Sequence, residues 1–214
     1  MPDASEHTWL KQIEQGEHIR QEFKFRIDSS REIAQTLCAL ANTEGGILWV
    51  GVKDNGKISG CNPEEEFHMI FGAARLYCFP EVKINASVLI LHGKQVLKCE
   101  VPFSDLRPHF ARLDEKKKLA FIRHNDFNIV AGRVILKLMK QELHPNKKPE
   151  VFKPDEMILL NVLKDHPLCS ISKLVRLSGF PVWRVENLLV RFIRWKLVNI
   201  TIQPQGVTYS LVSD

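Results

Sequence analysis

Between Ile33 and Gly60 the chain reads IAQTLCALANTEGGILWVGVKDNGKISG, and this stretch limits the fold more than any other. Ile33, Ala34, Leu37, Cys38 and Ala41 recur at helical spacing and make one apolar stripe. Ser29 or Ser30 supplies the N-cap, with Glu32 in the first turn. Asn42-Thr43-Glu44-Gly45-Gly46 stops the helix. The paired glycines permit positive φ and close backbone approach, as a sharp helix-to-strand turn demands. Ile47 to Val52 is apolar on both faces, which predicts a central strand. Asp54-Asn55-Gly56 is turn chemistry, and Lys57-Ile58-Ser59 beyond it predicts a hairpin.

The flanking segments extend the pattern. Ala4 to Gln15 predicts a short amphipathic helix with Trp9, Leu10 and Ile13 on one face. Arg20 to Ile27 alternates, so Phe23, Phe25 and Ile27 point one way and Glu22, Lys24 and Arg26 the other. That predicts a half-buried strand with a charged face. Glu64 to Leu76 reads as a second helix, and Val82 to Leu91 with Gln95 to Val101 as a hairpin about His92-Gly93-Lys94. Arg107 to Phe110 reads as an extended loop, Leu119 to Arg123 as a strand, and Asn128 to Leu143 as a closing helix. The expected class is α+β, with a mixed sheet.

A proline- and lysine-containing linker, HPNKKPEVFKP, spans His144 to Pro154. Beyond it Asp155 to Lys164, Ser170 to Leu177 and Pro181 to Leu197 predict helices. Val198 to Ile202 and Val207 to Leu211 predict strands about Gln203-Pro204-Gln205-Gly206. Three helices and then a hairpin is the order of a winged helix-turn-helix. The expected layout is a domain over 1–143, a linker over 144–154 and a small domain over 155–214.

The formal charge is +5, and +4 of it falls between Lys147 and Asp214. A basic C-terminal third favours a polyanionic partner there. Arg184, Asn187, Arg191 and Arg194 recur on one side of the last predicted helix, the residue types that read bases and phosphates in a major groove. A solvated face, or a contact with another protein, uses the same pattern. No apolar run approaches the roughly 20 residues of a membrane helix, and MPDASEHTW has no basic and then apolar order of a secretory signal. The five cysteines form no CxxC pair, which suits reduced thiols and a cytoplasmic setting.

Glu17, Glu22 and Asp54 are candidate metal ligands. Three converging carboxylates stay ionised beside a cation, and Mg²⁺ or Mn²⁺ suits oxygen donors. Such an ion supports phosphodiester hydrolysis. The competing reading is three separate surface charges. Lys24 and Lys53, next to Glu22 and Asp54, are candidate phosphate contacts or simple charge balance. There is no GxxxxGK[ST] phosphate loop, so ATPase chemistry is not expected.

Three segments together carry a family likeness: Glu17 to Lys24 (EHIRQEFK), Ala39 to Gly46 (ALANTEGG), and Gly51 to Gly56 (GVKDNG) with Gly60. With Phe121-Ile122-Arg123 they span roughly Trp9 to Lys140 in one order. The chain resembles the AlbA-like DNA-binding domain of the Schlafen group, also labelled divergent AAA-type. The resemblance implies nucleic-acid binding, with DNA favoured and RNA as the second polymer, and it places a family arginine on Arg123. Some Schlafen members are endoribonucleases with three carboxylates, which fall here on Glu17, Glu22 and Asp54. Their core pairs two such lobes; a homodimer would supply the second. Relatives that join this domain to a winged helix are labelled transcriptional regulators.

Overall fold

The computed structural model describes residues 4–141, 148–203 and 206–212. The chain forms two compact units, Met1–Ala131 and Gly132–Asp214. Residues 142–147, which hold the end of the predicted closing helix and the start of the linker, lie outside the described residues, as does the Pro204-Gln205 pair.

In the first unit the order is α1 (Ala4–Ile13), β1 (Gln21–Lys24), α2 (Ser30–Asn42), β2 (Gly46–Val50) and α3 (Pro63–Leu76). Then come β3 (Cys78–Phe79), β4 (Asn85–Leu91), β5 (Lys94–Val101), β6 (Phe110–Arg112), β7 (Lys118–His124) and β8 (Phe127–Val130). They build two four-stranded sheets, β1-β2-β5-β4 and β3-β6-β7-β8. β1 runs parallel to β2, and β2 runs antiparallel to β5. The turn after β2 closes through a single Val52–Ile58 bridge rather than a full hairpin.

Strand β2 is covered on both faces and is apolar throughout. Leu48, Val50, Leu97 and Cys99 join the core that holds α2. Phe23, Trp49, Val52 and Val96 pack with Ile13, Trp9 and Leu10 of the α1 side. Trp9 meets Trp49 edge-on at 6.1 Å between ring centroids. Helix α2 begins at Ser29, whose side chain accepts from the Glu32 N–H. It is buried almost all round, not along one stripe: Thr36, Ala39, Leu40 and Asn42 are also inside. The Asn42 side chain donates to the carbonyls of His109 (2.9 Å) and Phe121 (2.8 Å) and accepts from the His109 N–H at 2.7 Å. It ties the end of α2 to the second sheet.

Two further sequence expectations change. The charged strand face over Arg20 to Ile27 does not exist: β1 stops at Lys24, Gln21 and Glu22 are buried beside Phe23, and Phe25 leaves the sheet 51% exposed. The predicted closing helix over 128–143 is part strand. Ile129 pairs with Ile122 in the β7–β8 ladder, and the helix, α4, covers Arg133–Gln141. The break between units falls just before α4, and Val134 joins the core of the second unit.

That unit continues with α5 (Pro154–Asp165), α6 (Ile171–Ser178), α7 (Val182–Arg194) and the antiparallel hairpin β9 (Val198–Gln203) and β10 (Gly206–Leu211). Leu159, Leu163, Leu174, Val185, Leu189, Phe192 and Tyr209 form its centre. Cys169 and Tyr209 exchange two backbone hydrogen bonds of 2.9 Å, pinning the approach to α6 against β10.

Candidate functional site

The structure brings the three acidic residues into one electrostatic neighbourhood. Burial raises the Glu17 carboxyl above its ordinary range; a hydrogen bond from the Phe23 N–H (2.9 Å) opposes this, and the charges of Glu22 and Asp54 reinforce it. Lys24 also bears on Glu17, in the lowering direction. Glu22 is buried and holds one cation on each oxygen, Lys24 at 2.7 Å and Arg123 at 2.7 Å. Asp54 and Lys53 are exposed on the turn beyond β2, with the Lys53 ammonium 5.7 Å from the Phe25 ring centroid.

A divalent ion does not fit this arrangement. Both Glu22 oxygens are taken by side-chain cations, and a Glu17 oxygen is taken by a backbone N–H. Among the described residues no group of three His, Cys, Asp or Glu side chains is placed to hold a metal. A cleft of about 260 Å³ is lined by Glu22, Lys24, Arg26, Glu32 and Asn128, but its lining does not include Glu17 or Asp54.

Arg123, a candidate nucleic-acid contact in the sequence, is turned inward to structural partners. It is 2% exposed. Its guanidinium donates to Glu22, to Asn128 Oδ1 at 3.1 Å, and to the carbonyls of His18 (3.1 Å) and Gln21 (3.3 Å). Its backbone N–H donates to Thr43 Oγ1 at 2.9 Å. It fastens β7 of one sheet to β1 of the other.

The predicted basic face of α7 is also largely engaged. Arg184 pairs with Asp155, holding that carboxyl below its ordinary range through their hydrogen bond. Arg191 pairs with the buried Glu156 at 2.5 Å and lies 5.0 Å from the Trp195 ring centroid. Arg194 is half-buried. Asn187 is exposed and accepts from Lys137 Nζ of α4 at 2.9 Å. The same ammonium reaches buried Glu186 at 2.8 Å. What α7 offers outward near its start is Trp183, 57% exposed, with Val182 and Asn187.

A family model described as Schlafen, AlbA_2 matches residues 17–131. The chain belongs to the Schlafen, AlbA_2 family. The Schlafen, AlbA_2 segment opens on Glu17 and closes on Ala131, where the first compact unit ends. It therefore holds Glu17, Glu22, Asp54 and Arg123 and leaves all of α4 to β10 outside. No curated protein matches.

Two solved structures show distant likeness to this Schlafen, AlbA_2 chain. One concerns regulation of DNA binding of Bordetella bronchiseptica BpsR by 6-hydroxynicotinic acid (18% identity, TM-score 0.29, covering 36% of this chain and 54% of that one). The other is the DIP2311 protein from Corynebacterium diphtheriae (16% identity, TM-score 0.44, covering 89% of this chain and 34% of that one). This chain thus spans about half of the first and a third of the second. Among the described residues no helix is long and apolar enough to cross a membrane.

Sequence reasoning missed a second group of residues in the same segment. Register pairs Phe79 with Phe110 and Arg112 with Lys118 across β3, β6 and β7. The Lys118 ammonium lies 3.7 Å, and the Arg112 guanidinium carbon 4.5 Å, from the Phe79 ring centroid. The one available signal was the run Lys116-Lys117-Lys118.

Proposed function

We propose that this protein is a nucleic-acid-binding regulator whose C-terminal unit is a winged helix-turn-helix acting on DNA, with RNA as the second polymer. The carrying observation is the second unit's order: α5, α6, α7 and then the β9–β10 hairpin. Helix α6 is capped by Ser170 and turns into α7 through Gly179 in the left-handed conformation, φ 71°. That is the linkage a helix-turn-helix uses. Family membership and the basic C-terminal third support the same reading. With Arg184 and Arg191 held by acids of α5, the contact surface contracts to Trp183, Asn187 and the neighbouring Lys137. Binding of duplex DNA should weaken steeply with salt, because phosphate contacts release counterions. Asn187→Ala together with Trp183→Ala should weaken it about tenfold or more. Absence of binding at low salt in an anisotropy titration sinks the reading.

The exposed Val182 and Trp183 favour a second reading, in which α7 meets a partner protein. Loss of the pair's effect on DNA, with DNA still bound, would point there. Metal-dependent cleavage comes behind both. RNA cleavage with Mg²⁺ or Mn²⁺ that disappears in Asp54→Ala would reverse this order.

We also propose a homodimer, supported by β4. It is an edge strand, its sequence NASVLIL carries no charge or proline, and Val88 and Ile90 are 51% and 57% exposed. Open edges of this kind pair unless blocked. Antiparallel self-pairing is expected, so sedimentation velocity should find a dimer that Val88→Lys converts to monomer. A monomeric parent protein ends this proposal.

A further inference from the structure

The β3–β6–β7 ladder has two unlike faces. Cys78, Ala111 and Phe121 sit in the main core, with Leu119 packed against it. Alternation then puts Phe79, Phe110, Arg112 and Lys118 on the opposite face. Phe79 lies under both cations there. The Arg112 Nε is buried and has no hydrogen-bond partner among the described residues. Beside it the Tyr77 carbonyl accepts from the Arg112 N–H at 2.8 Å.

At the end of the ladder, Asp114 Oδ1 accepts from the N–H groups of Lys116 and Lys117, each at 2.8 Å. This fixes the turn so that Lys116, Lys117 and Lys118 are all exposed. Of the acids adjoining this run in sequence, Asp114 is occupied in the turn and Glu115 is exposed. Arg112 and the exposed Lys116, Lys117 and Lys118 thus gather positive charge beside Phe79 and Phe110.

We infer that this face is a docking platform for an unpaired nucleic-acid strand, resting on the nucleic-acid reading above but locating a site in the Schlafen, AlbA_2 unit. A cation over an aromatic ring can give way when a nucleotide arrives, its attraction to the ring offset by stacking and by the phosphate. The ring takes the flat face of a base, and the freed lysine or arginine takes the phosphate. Three strands span only about 10 Å, the width of a strand with splayed bases rather than a duplex. A duplex keeps its base faces stacked away from such a platform, so single strands are the substrate class.

The test uses the full chain and labelled oligouridylate, oligothymidylate and a duplex of the same length, titrated by anisotropy across a salt series. The parent protein should bind the single strands. The combined variant Lys116→Glu, Lys117→Glu, Lys118→Glu should bind them at least tenfold more weakly, with the log–log salt slope reduced by about two. Its duplex binding should be unchanged. Phe79→Leu should weaken single-strand binding about tenfold, the scale of one stacked base. The uridylate and thymidylate arms separate RNA from DNA. Duplex binding alone, or single-strand binding indifferent to the three lysines, overturns the inference and leaves the regulator reading standing. Failure to bind either form overturns both.

Discussion

Replacing Arg123 by methionine should destabilise the first unit by about 3–5 kcal/mol, the range for removing one partner of a buried ion pair. The side chain is 1% exposed and its partner Glu22 7%. Without the guanidinium, Glu22 keeps only Lys24, which is 40% exposed and shared with solvent. The carbonyls of His18 and Gln21 and the Asn128 side chain lose a donor as well. Much of the cost belongs to the abandoned carboxylate, so Glu22→Leu added to Arg123→Met should recover a large part of it. Urea unfolding followed by far-UV circular dichroism measures both. A loss below about 1 kcal/mol for the single variant, within the ordinary range of point substitutions, would show that the pair does not fasten the two sheets.

Gly45→Ala should cost about 3 kcal/mol. Gly45 has φ +71°, and a Cβ there would sit 2.6 Å from the Phe103 nitrogen and 2.7 Å from the Val101 oxygen. The left-handed conformation costs an L-residue about 1–2 kcal/mol, and forcing rigid backbone apart adds about 1–3 kcal/mol. Gly56 separates the two contributions. Its φ is +76°, yet the nearest atom to a Cβ is 3.7 Å away. Gly56→Ala should therefore cost only about 1–2 kcal/mol. Equal shifts in Tm for the two variants would mean that close packing of the glycine turn against the end of β5 contributes nothing.

These two positions mark what could be read from residues alone. The glycine turn, α2, α3 and the β4–β5 hairpin carry local signals: a serine cap, a proline at the first helical position, a glycine at the hairpin tip. Periodicity needs length, and β3 has two residues and β6 three. The second sheet was therefore half invisible, and Phe79 could not be aligned with Arg112 and Lys118. The run from Phe127 onward is apolar at spacings that suit strand or helix, and only the ladder with β7 decides that it begins as a strand.

The site misled for a related reason. Glu22, Arg123, Arg184 and Arg191 look like surface charges because their partners are remote. Glu22 finds Arg123 in another sheet, and Arg184 and Arg191 find Asp155 and Glu156 on another helix. A charge in sequence has a sign but no address. Whether Glu17, Glu22 and Asp54 act together was open in the sequence; the charges of Glu22 and Asp54 bear on Glu17, while the cations that occupy Glu22 make it a structural group.

The span between Glu22 and Arg123 has a consequence for synthesis. They stand 101 positions apart. A ribosome adding about 5–20 residues per second needs about 5–20 s to cover that distance. Until then the Glu22 carboxylate has no guanidinium to receive it, and the residues of α2 have no second sheet to lie under. The emerging chain must therefore be carried unfinished past its own midpoint, and the first unit cannot close before Arg123 and the β8 strand that follows it have been made.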